Sequence, residues 1–513
     1  MIFAFLMTEQ VKNGAINLEE YFSVFRNNII GIDQCLETPD GQTHPIVYAD
    51  WTASGRSYQL IEERIQKEIM PFVANTHTET SGTGMAMTFA YHEAHQIIKK
   101  HVNAHNTDVL ISSNSGMTGV VNKFQRILGL KLHERFRSKV QLNEEERPVV
   151  FITHMEHHSN QTSWLETIAD VVVIPPASDG LISLESFENC ILQYIKRPYK
   201  IAAITACSNV TGIITPFHEI AKLIHKYQGL CFVDFACSAP YVQINMHPED
   251  PAASLDAIYF SPHKFLGGPG SSGVLVFDNK LYSNSIPDDP GGGTVDWTNP
   301  WGEHKFLENI EEREDGGTPA FLQTIKAAMC ILLKEEMNVQ LMLKREEELM
   351  QILWNGLSQI PNLHILASQH KHRLGIISFY IDDLHYNAGV KLLNDRFGIQ
   401  ARGGCSCAGT YGHYLLNVSP EISHKITDRI NTGDYSTKPG WIRISIHPCM
   451  TNREAHYLVK SIQDLAANFK EWEKDYVLNF TKGIIRFKDD EKDSLLKSKM
   501  YSILHRRFSD LES

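Results

Sequence analysis

Between residues 108 and 277 the chain repeats one pattern: a short run of β-branched and aromatic residues, then a longer stretch with helical spacing. The β-rich runs are DVLIS at 108–112, VVFIT at 149–153, VVVI at 171–174, IAAIT at 201–205, LCFVD at 230–234, AIYFS at 257–261 and GVLVF at 273–277. Between them lie stretches such as GVVNKFQRILGL at 119–130 and HEIAKLIHKY at 218–227, whose apolar residues recur at helical spacing. Parallel strands need a crossover of a dozen or more residues, usually a helix, so this alternation predicts an α/β fold around a mainly parallel sheet. A long charged helix is expected over 327–357. After it, short strands (374–380, 441–446) alternate with helices (388–397, 452–471), the pattern of a smaller α+β unit. The expected organisation is an N-terminal segment (1–45), a large α/β domain (46–335), a small α+β domain (336–473) and a peripheral tail (474–513) with one helix near 492–505.

The bulk properties narrow the function. A chain of 513 residues, 42% hydrophobic and 21% charged, has the composition of a globular protein with a substantial core. Its net charge of −12 argues against a dedicated nucleic-acid binder, which needs a basic face for phosphates. No run approaches the ~20 apolar residues that span a bilayer. The apolar start MIFAFLM has neither a basic leader nor a small-residue cleavage site and does not read as a signal peptide. Nine scattered cysteines, an odd number, fit reduced thiols in a cytoplasm rather than a disulfide framework.

Several chemistry-bearing motifs fall just after predicted strands. In Ser261-Pro-His-Lys264 a lysine stands in a tight turn, where its amine can form an imine with an aldehyde. Ser261 and His263 beside it can bind a phosphate. Taken alone, such a lysine reads as a solvated surface charge. Asp234 ends the preceding strand, where a carboxylate can pair with a protonated pyridine nitrogen and keep that ring an electron sink. Strands of one parallel sheet end at one edge, so the two residues together are more specific than either alone. SSNSGMT at 112–118 joins a strand to a helix, and the free N–H groups of a helix start make an anion site. MEHHSN at 155–160 offers an imidazole that can stack on a flat cofactor and move a proton. A zinc site is not expected there, for want of a third ligand.

The motifs occur in an order that resembles the class V aminotransferase family, fold type I enzymes dependent on pyridoxal 5′-phosphate (PLP) that include the cysteine desulfurases and selenocysteine lyases. They are YADWTASG (48–55), NTHTETSG (75–82), SGMTGVVN (115–122), EHHSN (156–160), SNVTG (208–212), VDFACSAP (233–240), SPHKFLGGPGSSGVL (261–275), GGTP (316–319), RGGCSCAG (402–409) and WIRISIHP (441–448). The resemblance implies that Lys264 is the Schiff-base lysine, Asp234 the partner of the pyridine nitrogen, and His157 the ring stacked on the cofactor. It implies that Asn209 meets the cofactor's phenolic oxygen, and that Gly116, Met117, Thr118, Ser261 and His263 cradle its phosphate. Thr318 corresponds to a phosphate contact from a second subunit, hence a homodimer. Arg443 corresponds to the substrate-carboxylate arginine, for which a planar fork suits better than a lysine.

Cys407 bears on the reaction itself. In RGGCSCAG it stands where similar desulfurases carry the cysteine that takes sulfur from the substrate and holds it as a persulfide. Cys405, two residues earlier, would share its face on a strand but not on an irregular loop. Two departures from the family pattern stand out. Cys237 replaces a glutamine expected three residues after the aspartate, which leaves Asn209 as the partner of the phenolic oxygen. The stretch between Cys407 and Arg443 is long and polar, and reshapes either the substrate entrance or a surface for a partner such as a sulfur acceptor. The expectation is a dimeric, cytoplasmic PLP enzyme converting L-cysteine to L-alanine. The alternatives are transamination or another lyase reaction on the same scaffold and, remotely, a non-catalytic partner protein.

Overall fold

The computed structural model describes residues 17–39, 41–78, 80–489 and 495–507. The apolar start MIFAFLM lies outside the described residues. The central sheet has seven strands. In chain order they are β1 (Val109–Ser113), β2 (Val149–Thr153), β3 (Asp170–Ile174), β4 (Lys200–Thr205), β5 (Leu230–Asp234), β6 (Ala257–Phe260) and β7 (Gly273–Phe277). Across the sheet they run β1-β7-β6-β5-β4-β2-β3. β7 is antiparallel to both neighbours and every other pair is parallel. It follows that β1 and β6, both reversed relative to β7, point the same way. The C-terminal ends of six strands therefore share one edge.

These strands read as continuous apolar runs because both faces of the sheet are covered. The period of two is still present: it sorts residues between two cores. Val149, Phe151, Ala202, Ile204 and Val233 face one, with α1 (Gly82–His101) and α4 (Phe217–Lys226) laid over it. Val150, Ile152, Ala203, Phe232 and Leu275 face the other, covered by α2 (Gly116–Ile127) and by Trp164 of α3 (His158–Leu165).

The single long helix expected over 327–357 is instead two, α5 (Phe321–Met337) and α6 (Val339–Leu357). Asn338 between them has φ +59°, a conformation asparagine tolerates better than most side chains. Its side chain accepts from Gln340 N and Leu341 N and so caps α6.

The second sheet contains β8 (Leu363–Ile365), β9 (Ile376–Ile381), β10 (Arg402–Gly404) and β11 (Trp441–Ser445), in the antiparallel order β8-β9-β11-β10. Around it lie α7 (Tyr386–Phe397), α8 (Gly409–Leu415), α9 (Pro420–Asn431) and α10 (Asn452–Trp472). An N-terminal helix, Leu18–Arg26, buries Tyr21 and Phe22, and both terminal nitrogens of Arg26 donate to Glu454 of α10 at 2.8 and 2.9 Å. Residues after 474, expected as a weakly patterned periphery, begin with a hairpin, Tyr476–Asn479 and Ile484–Phe487, whose Tyr476 is buried and whose Leu478 and Phe487 pack on the main core. A helix follows at Leu495–His505. Ala49 N donates to Gln400 O at 2.9 Å and Ser445 N donates to Ala49 O at 2.7 Å, so the YADW segment is stitched onto the second sheet next to Arg443.

Candidate active site

The shared strand edge meets the second sheet at a cavity of about 710 Å³. Of the residues singled out from the sequence, Lys264, Asp234, His157, Asn209, Gly116, Met117, Thr118, Ser261, His263, Cys237, Cys407 and Arg443 line it; Cys405 and the exposed Thr318 do not. The floor is the anion cradle after β1. Gly116 has φ +61°, and a Cβ there would stand 3.2 Å from Ser261 Oγ, in the hollow itself. A Cβ on Gly273 would come within 2.2 Å of the Gly116 backbone, so the two glycines permit the close approach. Met117 N donates to Ser261 Oγ at 2.8 Å. Ser115 makes no side-chain cap on α2, so apart from Met117 N the N–H groups of its first turn can meet an anion. Thr118 and Ser159 hydroxyls meet at 2.7 Å along the rim.

Lys264 follows β6 in a short turn in which its N–H donates to Ser261 O at 3.1 Å. Burial pushes its amine below the ordinary lysine range, against the pull of Cys237 and Asp234. A neutral amine is the form that adds to a carbonyl or takes a proton. Asp234 closes β5, and its Oδ1 accepts from Ala236 N at 2.8 Å. Burial raises its carboxyl to about 6, partly offset by that bond and by Lys264. A protonated ring nitrogen would supply the cationic partner this buried carboxylate lacks.

His157 is the N-cap of α3, and its Nδ1 accepts from Ser159 N at 3.1 Å. The neutral ring must therefore carry its proton on Nε2. Burial, with Lys264 nearby, lowers it to about 3, so it is neutral at physiological pH. His263 is likewise lowered to about 4 by burial and by Lys264. Asn209 donates from Nδ2 to Ser406 O at 2.7 Å, while its buried Oδ1 has no partner. The cradle, the uncompensated Asp234 carboxyl and this orphaned amide oxygen together fit PLP.

From the second sheet come Cys407 and Arg443. Cys405–Cys407 is a loop rather than a strand, with Ser406 and Cys407 at φ +51° and +57°. The two thiols therefore do not share a face by strand alternation. Two successive non-glycine residues in the left-handed region are costly. Arg443, on β11, is almost fully buried; its Nη1 donates to Asn209 O at 3.0 Å and its Nη2 to Asp50 Oδ1 at 2.8 Å. Its Nε is buried without a partner.

Four further residues at or beside the site are not marked by the sequence motifs. Asp50, inside YADW, is the resident counter-ion of Arg443. Arg402 faces Arg443 across the β10–β11 register and lines the cavity too. Cys207 lines the cavity together with Cys237, and its Sγ donates to Ser208 O at 3.6 Å. Glu156 lies wholly buried, accepting from Thr153 Oγ1, Thr205 N and Asn160 Nδ2 at 2.6, 2.9 and 2.8 Å, and burial raises it to about 8. It is the first residue of EHHSN, and its place directly after an apolar strand was the available signal.

The chain belongs to the aminotransferase class-V family, whose model matches residues 47–458. It is similar to a probable cysteine desulfurase of Halalkalibacterium halodurans, 28% identical over 368 residues that cover 71% of this chain and 84% of the relative. It is also similar to a probable cysteine desulfurase of Staphylococcus aureus, 27% identical over 73% of this chain and 86% of the relative. Its fold is that of a solved cysteine desulfurase from Thermococcus onnurineus (TM-score 0.67, 20% identity, covering 82% of this chain and 95% of the other). A cysteine desulfurase of Escherichia coli shares it equally (TM-score 0.67, 19% identity, 88% and 99%). This is the fold type I architecture of PLP enzymes. Among the described residues no helix is long and apolar enough to cross a membrane.

Proposed function

We propose that this chain is a PLP-dependent cysteine desulfurase that converts L-cysteine to L-alanine and leaves the sulfur as a persulfide on Cys407. The observation that carries this reading is the placement of a cysteine thiol in the same cavity as Lys264, Asp234 and Arg443. The names of its relatives point the same way. Lys264 Nζ would hold the cofactor, and Ser261, His263 and the Gly116–Thr118 turn its phosphate. His157 would stack on the ring, and Asp234 and Asn209 would meet its nitrogen and phenolic oxygen. When bound, PLP supplies the electron sink that lets a proton leave Cα of an amino acid.

The protein's own groups do the rest. Arg443 binds the substrate carboxylate and orients Cα. Once the substrate amine has taken its place on the cofactor, the freed Lys264 Nζ, lowered by burial, takes the Cα proton and returns a proton on the way to alanine. Cys407 Sγ attacks the substrate sulfur: the substrate C–S bond breaks and an S–S bond forms on the enzyme. L-cysteine and the Cys407 thiol thus become L-alanine and the Cys407 persulfide, with no external oxidant. The exposed Thr318 fits a homodimer in which it reaches the neighbouring cradle, and we place the enzyme in the cytoplasm, where thiols stay reduced. The persulfide would pass to a sulfur-acceptor partner.

The test is alanine formation from L-cysteine, with the persulfide sulfur released as sulfide by an added dithiol reductant, by PLP-loaded protein and by Cys407→Ala. Equal yields that vanish in the variant support the reading. Alanine formation that survives in Cys407→Ala, or transfer of the amino group to a keto acid, moves the assignment to another reaction of the family.

A further inference from the structure

The loop that carries Cys407 is held from one side by the helix that carries His157. His158 N donates to Cys407 O at 2.7 Å. Two residues beyond the thiol, Gly409 N donates to the ring Nε2 of the same histidine at 3.0 Å. His158 thus grips the loop by backbone and side chain on either side of Cys407. One turn along α3, Gln161 Nε2 donates to Thr410 Oγ1 at 2.7 Å, and Thr410 Oγ1 lies 2.9 Å from Gln161 Oε1. The opposite side of the loop is tied by Asn209 Nδ2 to Ser406 O at 2.7 Å and by Trp441 Nε1 to Ser406 Oγ at 3.2 Å.

We infer that His158 is a positioning residue that fixes the Cys407 thiol relative to the cofactor. The left-handed conformations of Ser406 and Cys407 are unfavourable for residues with a Cβ, and they persist because the surroundings over-determine them. The strap is one such determinant. Its geometry also gives the two adjacent histidines separate contacts. His157 Nδ1 caps α3 while its ring faces the cavity, and His158 turns the other way to take the Gly409 N–H. Ring stacking and thiol placement are then set by neighbouring residues of one helix start. Only the neutral ring has a lone pair at Nε2 for this bond, and burial lowers His158 below the ordinary histidine range, which keeps it neutral. The inference rests on Cys407 being the nucleophile of the proposed reaction.

The test compares His158→Phe, which keeps an aromatic ring but loses the acceptor, with His158→Gln, whose Oε1 can accept the Gly409 N–H again. Both retain the backbone bond to Cys407 O. With PLP-loaded protein, two quantities are read: kcat and KM for alanine formation, and the rate at which iodoacetamide alkylates Cys407, followed by mass spectrometry. His158→Phe should lower kcat about 10-fold with KM changed less than about 2-fold, since a misplaced thiol costs chemistry rather than substrate binding. Its Cys407 should alkylate about 3-fold faster or more, as a loop freed of one bond opens more often. His158→Gln should restore both. Equal kcat and alkylation in His158→Phe and the unaltered protein overturns the inference, and so does a His158→Gln as impaired as His158→Phe. Alkylation does not depend on turnover of L-cysteine. If Cys407→Ala still forms alanine, the proposed reaction fails, while the alkylation comparison still reads the strap.

Discussion

Replacing Arg443 by lysine tests the substrate clamp while keeping the charge. The guanidinium is almost fully buried and serves two fixed partners, Asn209 O at 3.0 Å and Asp50 Oδ1 at 2.8 Å, with Nε unpartnered. A lysine ammonium cannot reach both partners and still meet a carboxylate in the plane of the fork. The substrate therefore loses about one charge-assisted hydrogen bond, ~1.5–3 kcal/mol, or about 10- to 150-fold in kcat/KM. Because the carboxylate is held equally before and during reaction, most of the loss should appear in KM. The assay is alanine formation over a range of L-cysteine concentrations, repeated with 2-aminoethanethiol, which lacks the carboxylate, following its sulfur release. The substitution should weaken L-cysteine turnover by that factor and leave the amine thiol nearly unaffected. Equal losses on both substrates would refute the clamp and make Arg443 a support for Asp50 and the Asn209 backbone alone.

Two further outcomes follow from the cavity. Asp234 is raised by burial to about 6, so its favourable contribution to the apo fold is fully present below the ordinary carboxylate range and is lost as pH rises through about 6. Asp234→Asn should therefore make the apo protein more stable at pH 7, by up to ~3 kcal/mol, and flatten the change between pH 4 and 7 in denaturant titrations; a variant less stable at pH 7 contradicts this. Gly116→Ala places a Cβ in the left-handed region 3.2 Å from Ser261 Oγ, so PLP affinity in equilibrium titration should fall about 10-fold or more and the melting temperature by about 2–4 °C. Unchanged affinity would remove Gly116 from the cradle.

The large sheet was legible because its strands are wholly apolar and lie between amphipathic helices, and VVFIT, LCFVD and GVLVF form strands at the residues expected. The break at Asn338 was hidden because apolar spacing continues on both sides and one asparagine does not interrupt it. The polar 409–440 stretch gave little signal for α9, whose residues are nowhere buried and which starts with a Ser419 cap and Pro420. At the site, local motifs named residues whose chemistry is carried by one side chain after a strand. Asp50 and the His158 strap were beyond reach, because each acts through a partner more than 200 residues away in the chain, Arg443 and Gly409 respectively, and Arg402 through its pairing with Arg443 on a neighbouring strand.

The most direct test of the account is the mass of the Cys407 peptide after one turnover. PLP-loaded protein is mixed with substoichiometric L-cysteine, alkylated and digested. One additional sulfur atom is expected on the peptide that carries both Cys405 and Cys407, equal in amount to the alanine formed and placed at Cys407 by fragmentation of that peptide. Stoichiometric alanine with no added sulfur at Cys407, or sulfur only at Cys405, would contradict it.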